Sequence, residues 1–599
     1  MIFPYGIADF RRIRREGRVY VDRTAYIRDV EQRGDILIFL RPRRFGKSLW
    51  AQTLATYYDL RFAENFDEIF DGLDIGKDPT PLANRYFILQ WNFSLITPRG
   101  DANAIAQDLR DHVAAQVKAF LSDYEEYIPS PVDIDGNPQN ILISLLSAIR
   151  KTPYKLYLII DEYDNFLNEI MVQSVATYKA LLEADGPFKE LFKAVKNATE
   201  GLGLEKIFVT GVSPLALNDL TSGFNTATDI SREPEFAGLC GFYEEEIQDL
   251  LRPILQKHGL SNAAGDQFLN QMRTWYNGYR FNHRGEHRLV YNPTNALYFL
   301  RDLYAHGSPP EALYDNNLRT DQAKLVFLAK TAAGAGVVEE LTEGTGEIQV
   351  LQLLNSFSLV DLTTKLAQDT DTVASFLYYL GLLTLTDVRG RLRVPNLVVR
   401  RLLLDRLLAV FLPDLGETSD ARKTALRFFN DGDLLPLLTF FETKLLPVLS
   451  NRDRGAPPQK PGQSGGGVNE MVLKAILLSI LFDDQRFVLH SELEVDKGYV
   501  DLCLLVRSEN DYPNAFDIIF ELKLVRRKKL GKKGSELRSM DEPTLRKLPA
   551  VRTALDKARA QLVRYREALI RQRGESVRPR CYSVVAVGLE RLVGEEVSS

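Results

Sequence analysis

Four short, mostly apolar runs punctuate the first 240 positions. They are ILIFL from Ile36 to Leu40, YFILQWNFS from Tyr86 to Ser94, KLYLIIDEYD from Lys155 to Asp164 and KIFVTGVSPL from Lys206 to Leu215. Apolar residues between them recur at three- and four-residue intervals, as in SLWAQTLATYYDL after the first run. That spacing marks one face of a helix. Strands that are apolar throughout and alternate with helices predict a parallel sheet covered on both faces. From Glu244 to about Asp321 the pattern becomes mostly helical, and it stays so from Ser356 to about Leu446. There a strand-like LGLLTLTD precedes RLRVPNLVVRRLLLDRLL, and helix, hairpin and helix together predict a small winged-helix-like module. RDRGAPPQKPGQSGGG, Arg452 to Gly467, is rich in proline, glycine and polar residues, the composition of a flexible linker. Beyond it the pattern is a helix (NEMVLKAILLSILF), three strands (FVLHSELEV, YVDLCLLVR, AFDIIFELKLV), a helix around Ala554 to Leu569 and a strand, CYSVVAVGL.

These segments predict five regions: 1–240, 241–330 as a helical lid, 331–450, a linker at 451–467, and 468–599. The length of 599 residues agrees, because single cores rarely grow past about 250–300 residues. With 45% apolar and 26% charged residues the composition is that of a soluble globular protein. Cys240, Cys503 and Cys581 are far apart, so neither a CxxC metal pattern nor a disulfide framework is visible. The N-terminal MIFPYGIADFRRIRREG lacks the apolar core of a signal peptide, and no apolar run approaches the ~18 residues of a membrane span. A cytoplasmic protein without membrane contact is expected.

Chemistry first appears in LIFLRPRRFGKSL, Leu37 to Leu49. A phosphate-binding loop aims backbone N–H groups and a helix N-terminus at phosphate oxygens, adds a lysine charge, and places a hydroxyl on Mg2+. Gly46, Lys47 and Ser48 fill those roles between a strand and a helix, with Arg44 and Leu49 as further contacts. The first glycine of the usual pattern is replaced by Arg41, with Pro42 beside it, which predicts a stiffer loop. Arg43 and Arg44 add positive charge. KLYLIIDEYD ends a strand in Asp161-Glu162. The first acid can hold the Mg2+ shell and the second can polarise the attacking water.

At the other end, Glu521 and Lys523 lie two residues apart in an apolar strand, so both side chains share a face. A hairpin would bring Asp501 of the preceding strand beside Glu521, and Glu470 on the opening helix can complete the cluster. Carboxylates that gather a hard cation, with a lysine to orient water, are what metal-dependent phosphodiester cleavage requires. The alternative is a charged cross-strand pair on a half-exposed sheet, and Glu492 reads as an exposed strand residue. Although the whole chain carries −5, residues 521–580 hold 19 Lys or Arg against 7 Asp or Glu, a surplus of +12. That suits a phosphate backbone. VRRKKLGKKG within it reads as a solvated loop.

RPRRFGKSL, YVDRTAYI, LIIDEYD, FVTGVSPL, WYNGYRF and VYNP together resemble the AAA-ATPase-like family, whose members often carry a C-terminal nuclease-like domain of the PD-(D/E)xK type. The resemblance covers most of the chain, and RPRRFGKS is the family's usual loop. It implies an α/β fold: a P-loop NTPase parallel sheet, then a helical, winged-helix-like middle region, then a small α/β restriction-endonuclease-like domain. It implies ATP or GTP, with Mg2+ at Ser48 and Asp161 and Glu162 as the catalytic acid of the pair. Thr210 or Ser213 falls where a sensor residue would sit, or simply caps a strand end. Arg280 in WYNGYRF would reach the γ-phosphate, or is a surface charge beside core aromatics. Gln561 and Tyr565 match the nuclease-like Q-x-x-x-Y pattern, which adds Gln561 to Asp501, Glu521 and Lys523 as catalytic, with Glu470, Asp501 and Glu521 on metal. The function implied is a nucleotide-hydrolysing protein coupled to a nuclease-like domain acting on nucleic acid, DNA before RNA, with a homo-oligomer left open. The alternative is a nucleotide-dependent switch or scaffold that binds without cleaving.

Overall fold

In the computed structural model the chain divides into two compact units, residues 1–333 with 348–398, and residues 334–347 with 399–599. The structure describes residues 1–97, 100–128, 130–182, 186–214, 227–284, 288–310, 312–313, 333–334, 337, 341, 347–357, 361, 365–403, 415–447, 470–481, 483, 486–495, 498–506, 515–573 and 579–597. The 451–467 segment and most of 311–346 lie outside them.

The first unit is built on a five-stranded sheet of β1 (Ile36–Leu40), β2 (Tyr86–Asn92), β3 (Lys155–Asp161), β4 (Leu204–Gly211) and β5 (Thr228–Asp229), in the order β2-β3-β4-β1-β5. All four pairings are parallel. All five residues of β1 are buried, as are Leu156 to Ile160 of β3. Apolar side chains on both sides of a strand need cover on both sides. Helices Lys47–Tyr58, Ala102–Asp123, Pro138–Ile149 and Pro187–Ala198 supply it from the connections. Their starts are written locally. Asp101 accepts from the Ala104 N–H, and Asn137 does the same for Asn140 ahead of Pro138, each satisfying an orphan donor of a first turn. The two-residue β5 carries no apolar run and has no sequence signature.

Helices Glu244–His258, Asn262–Tyr276 and Pro293–His306 follow. Isolated bridges Tyr279↔Val290 and Phe242↔Tyr291 tie WYNGYRF and VYNP to residue 242. Helix Thr370–Tyr379 and the antiparallel pair Thr384–Leu385 and Arg391–Arg393 complete the described part of the unit.

The second unit holds a mixed five-stranded sheet. Its order is Arg591–Glu596, Pro579–Val587, Asp517–Val525, Gly498–Val506, Phe487–Val495. Only the Asp517–Val525 and Pro579–Val587 strands pair in parallel, and the crossover between them is the helical segment 527–573, as a parallel pair demands. Leu502, Leu504, Ile518, Phe520 and Leu522 meet Leu473, Ile476 and Leu477 together with Phe428, Leu437 and Phe441 on one face. On the other face the long helix Pro549–Arg573 covers Cys503 and Ile519 with Leu562 and Tyr565, and Val525 and Val585 with Val551 and Leu555.

Three features of this unit differ from the sequence pattern. Residues 415–447, ahead of the proline- and glycine-rich linker, pack on the second sheet, because Phe428, Leu437 and Phe441 find their apolar partners there. The charged segment after Val525 is not a loop throughout: it forms helices Arg527–Leu530 and Gly534–Ser539, the first stopped by Gly531 at φ 63. A final strand, Arg591–Glu596, pairs antiparallel with Pro579–Val587. Its polar sequence RLVGEE fits an edge strand.

Candidate functional site

The C-terminal ends of β1, β3 and β4 converge, since Leu40 pairs with Gly211 and Ile160 with Val209. Ligands of open parallel sheets bind outside such ends. The loop after β1 turns through Arg44 at φ 66 and Gly46 at φ 98 into helix Lys47–Tyr58. Gly46 would meet nothing with a Cβ, so its requirement is the left-handed backbone rather than space. Lys47 is 4% exposed, and its Nζ donates to the carbonyls of Arg41 at 3.0 Å and Pro42 at 3.1 Å. Burial pulls its ammonium below the ordinary lysine range, against the opposing pull of Asp161 and Glu162.

Asp161 ends β3 and accepts from the Thr210 hydroxyl, at the end of β4. Glu162 follows at φ 52, a strained conformation for a residue with a side chain. Burial pushes its carboxyl above the ordinary range, with Lys47 opposing. Glu162, Arg44, Gly46, Lys47, Ser48 and Leu49 all line one cavity of about 310 Å3. Its other walls come from distant segments and are apolar at Pro4 and Ile7, Val19, Phe242 and Leu297. A serine hydroxyl and an aspartate at a strand end are the hard oxygen donors that Mg2+ prefers.

The residue replacing the first glycine has a different job. Arg41 is 1% exposed. Its guanidinium donates to the carbonyls of Leu40, Ser231 and Phe236 at 2.9, 2.5 and 2.9 Å, and lies 4.0 Å from the centre of the Phe281 ring. The loop is gripped elsewhere too. Thr294 of VYNPTN donates to the Arg44 carbonyl at 2.9 Å, and Phe45 stacks edge-on against Tyr279 and Phe281 of WYNGYRF. A Cβ on Gly381 would come within 2.5 Å of the Pro42 side chain. The stiffness expected of the loop therefore comes from these outside contacts, and WYNGYRF and VYNP are its outer brace.

The structure gives Ser213 and Arg280 partners that the sequence does not announce. Ser213 is fully buried, with its hydroxyl and N–H both on Asp164 Oδ2 at 2.8 Å. Asp164 also accepts from the Val212 N–H and the Asn168 amide. Ser213 thus ties the turn after β4 to Asp164, and the Thr210 hydroxyl donates to Asp161. Arg280 is 7% exposed and paired with Asp387. It is no surface charge, and the hairpin rather than the loop occupies its guanidinium. Asp164 is legible only as the last letter of LIIDEYD. Arg23 of YVDRTAYI, which lines the cavity and is fixed bidentately by Glu246 at 2.5 and 2.7 Å, carries no motif of its own.

In the second unit Leu502 pairs with Phe520, so Asp501 faces Glu521 across the antiparallel pair. Lys523 Nζ donates to Glu521 Oε1 at 2.6 Å and lies 3.9 Å from Asp501 Oδ2. The three converge as the spacing predicts. A fourth group that the pattern does not single out joins them. Lys474, 7% exposed on helix Glu470–Ile480, donates to Asp501 Oδ1 at 3.0 Å, and the Leu522 N–H donates to Oδ2 at 2.8 Å. Glu521 is 1% exposed, and its Oε2 has no hydrogen-bond partner among the described residues. Glu470 opens that helix and Glu492 lies in the Phe487–Val495 strand, with side chains outside the described ones. Gln561 sits on the long helix between the footprints of Leu555 and Leu562, its amide 3.5 Å from Tyr565 Oη. Among the described residues no group of three or more His, Cys, Asp or Glu is gathered to hold a metal, and no helix is long and apolar enough to cross a membrane.

Burial and the facing Asp501 push the Glu521 carboxyl up to about 7, while Lys523 and Lys474 pull it down. Between its ordinary 4.5 and 7 the folded protein keeps a proton that the unfolded chain releases, so stability falls as pH rises through that window. Thermal melts from pH 5 to 8 should show this loss, on the order of 1–3 kcal/mol, in the wild type and not in Glu521→Gln. Parallel curves for the two would mean that the group titrates elsewhere.

The basic surplus is partly consumed inside the unit. Arg538 pairs with Glu590, Arg546 and Arg559 with Glu595, and Arg580 with Glu596. These acids lie beyond residue 580, where the count of the basic segment stops.

A parallel sheet with a glycine-lysine-serine loop after β1 and an acidic pair after β3 fits a P-loop NTPase α/β fold. Residues 4–221 match the family described as a predicted AAA-ATPase, AAA-ATPase-like. An uncharacterized protein in the vnfD 5' region of Azotobacter chroococcum mcd 1 is 27% identical over 425 residues, 69% of this chain and 70% of that one. Among solved structures, the Walker-type ATPase PABY2304 of Pyrococcus abyssi is 12% identical, covering 64% of this chain and 94% of its own, with a TM-score of 0.37. The ORC2 protein of Aeropyrum pernix in its ADP form is 13% identical over 66% and 97%, with a TM-score of 0.29.

Proposed function

We propose that the chain binds ATP with Mg2+, hydrolyses it, and couples that cycle to a nuclease-like second unit that acts on nucleic acid. The observation that carries the first part is the placement of Lys47 and Glu162 on one cavity, below a helix N-terminus and beside Asp161. Ser48 and Asp161 would hold Mg2+, which supplies charge to the β- and γ-phosphate oxygens. Lys47 exchanges the two loop carbonyls for phosphate oxygens, and Thr210 keeps Asp161 oriented. Glu162 then takes the proton of the attacking water. The apolar walls at Pro4, Ile7 and Leu297 suit the flat face of a base, and do not choose between adenine and guanine.

The nuclease part rests on Asp501, Glu521 and Lys523 lying together, with a buried Glu521 oxygen that has no hydrogen-bond partner among the described residues and that a cation would satisfy. Asp501 and Glu521, with Glu470, would hold that cation, and Gln561 would help place the phosphodiester. A switch or scaffold that binds without cleaving is favoured by a separate observation. Two lysines already neutralise the two carboxylates, and several arginines of the basic segment are spent on Glu590, Glu595 and Glu596.

Calorimetric titration of ATP and GTP into the full chain tests the nucleotide reading. Lys47→Ala should weaken binding on the order of 100-fold, since a charge-assisted contact in a buried site is lost. Affinity unchanged by the substitution would remove the loop from the reading. Cleavage of labelled DNA and RNA with Mg2+, compared with Glu521→Ala, separates the nuclease from the scaffold.

A further inference from the structure

Lys474 has no part in the D…ExK pattern, yet the structure sets it inside the same cluster. It lies four residues after Glu470 on one helix, a spacing that places the two on one helical face. Its neighbours Leu473, Ile476 and Leu477 are in the core, and its own side chain is 9% exposed against 16% for Asp501. A lysine is rarely buried unless it is paired. Here the pairing uses the oxygen that a metal would need. Asp501 Oδ1 takes the Lys474 ammonium, Oδ2 takes the Leu522 N–H, and Glu521 Oε1 takes the Lys523 ammonium. Of these four carboxylate oxygens, Glu521 Oε2 alone has no hydrogen-bond partner among the described residues. The described cluster sums to two acids and two ammonium groups.

We infer that Lys474 competes with a divalent cation for Asp501, so that the C-terminal site takes up metal weakly until this lysine is drawn away. The inference rests on reading Asp501 and Glu521 as metal ligands. Its physical basis is direct. A cation entering between the two carboxylates must either displace an ammonium 3.0 Å from Asp501 or sit beside it, and both raise its free energy. A phosphate group is the natural ligand to draw the lysine off, since it accepts from an ammonium and carries the opposite charge. Lys474 is therefore a positioning residue that ties metal uptake to the arrival of a phosphate-bearing strand.

Mn2+ binding to the nucleotide-free full chain, followed by calorimetry, tests this without any measurement of cleavage. The relevant signal is the portion removed by Asp501→Asn. Lys474→Gln and Lys474→Met, which keeps the apolar stem, should each tighten that portion on the order of tenfold. Lys474→Arg, which keeps the charge, should leave it near the wild-type value. Binding that is unchanged or weaker in both neutral variants, with melting curves that show them folded, overturns the inference. Mn2+ binding that Asp501→Asn does not touch in any background instead overturns the reading of the carboxylate pair.

Discussion

Restoring glycine at position 41 should damage the protein. Arg41→Gly turns RPRR into GPRR and brings the loop nearer the usual phosphate-loop pattern. By motif alone it is an improvement, but the structure predicts the opposite. The Arg41 guanidinium supplies the hydrogen bonds to the Ser231 and Phe236 carbonyls and lies against the Phe281 and Phe39 rings, all out of solvent. Its removal leaves the carbonyls of Leu40, Ser231 and Phe236 without that donor and a void beside the loop. An unsatisfied buried polar group costs about 1–3 kcal/mol, and a cavity left by a large side chain adds to that. A loss of about 3–5 kcal/mol is expected, seen as a melting temperature lower by roughly 5–10 °C and weaker ATP binding. Arg41→Lys should fall between, keeping the charge and losing the fork that spans the carbonyls. A glycine variant as stable as the wild type would show that the stack and the carbonyl bonds contribute nothing net.

Glu162→Gln should separate binding from turnover. Glu162 lines the cavity opposite Lys47, in a backbone conformation a glutamine can share, and burial raises its carboxyl toward the range of a working base. Loss of a positioned base lowers rates about 100- to 10,000-fold. Single-turnover ATP hydrolysis should drop within that range, while ATP affinity stays within a few-fold of wild type. Hydrolysis close to the wild-type rate would assign the water to another group, with Asp161 the nearest candidate by sequence.

The two predictions differ in how far the amino-acid pattern could reach. Glu162 follows from an apolar run ending in two acids, because a parallel strand buried on both faces must stop where charge begins, and β3 stops at Asp161. The same logic fixes β1 at Ile36–Leu40 and brings Asp501 opposite Glu521. Arg41, Arg280 and Lys474 are a different matter. Each is buried because a segment tens to hundreds of residues away provides its partner: Ser231 and Phe281, Asp387, and Asp501. Periodicity carries no information about such pairings. Ser213 has a partner that is equally hard to foresee. Its position after β4 is right for a sensor, but Asp164 reaches across and takes its hydroxyl. The strand Arg591–Glu596 and the helices after Val525 escape notice because charged edge elements lack an apolar rhythm.

The cavity beside Lys47 is walled by residues from Pro4 to Leu297, which sets an order of events on the ribosome. When residue 221 has been polymerised, the phosphate loop has been made, but Cys240 to Phe242, Phe281 and Thr294 have not. Until then Arg41 has no ring to lie on and a nucleotide has no far wall. The cavity therefore cannot close until some seventy further codons have been translated.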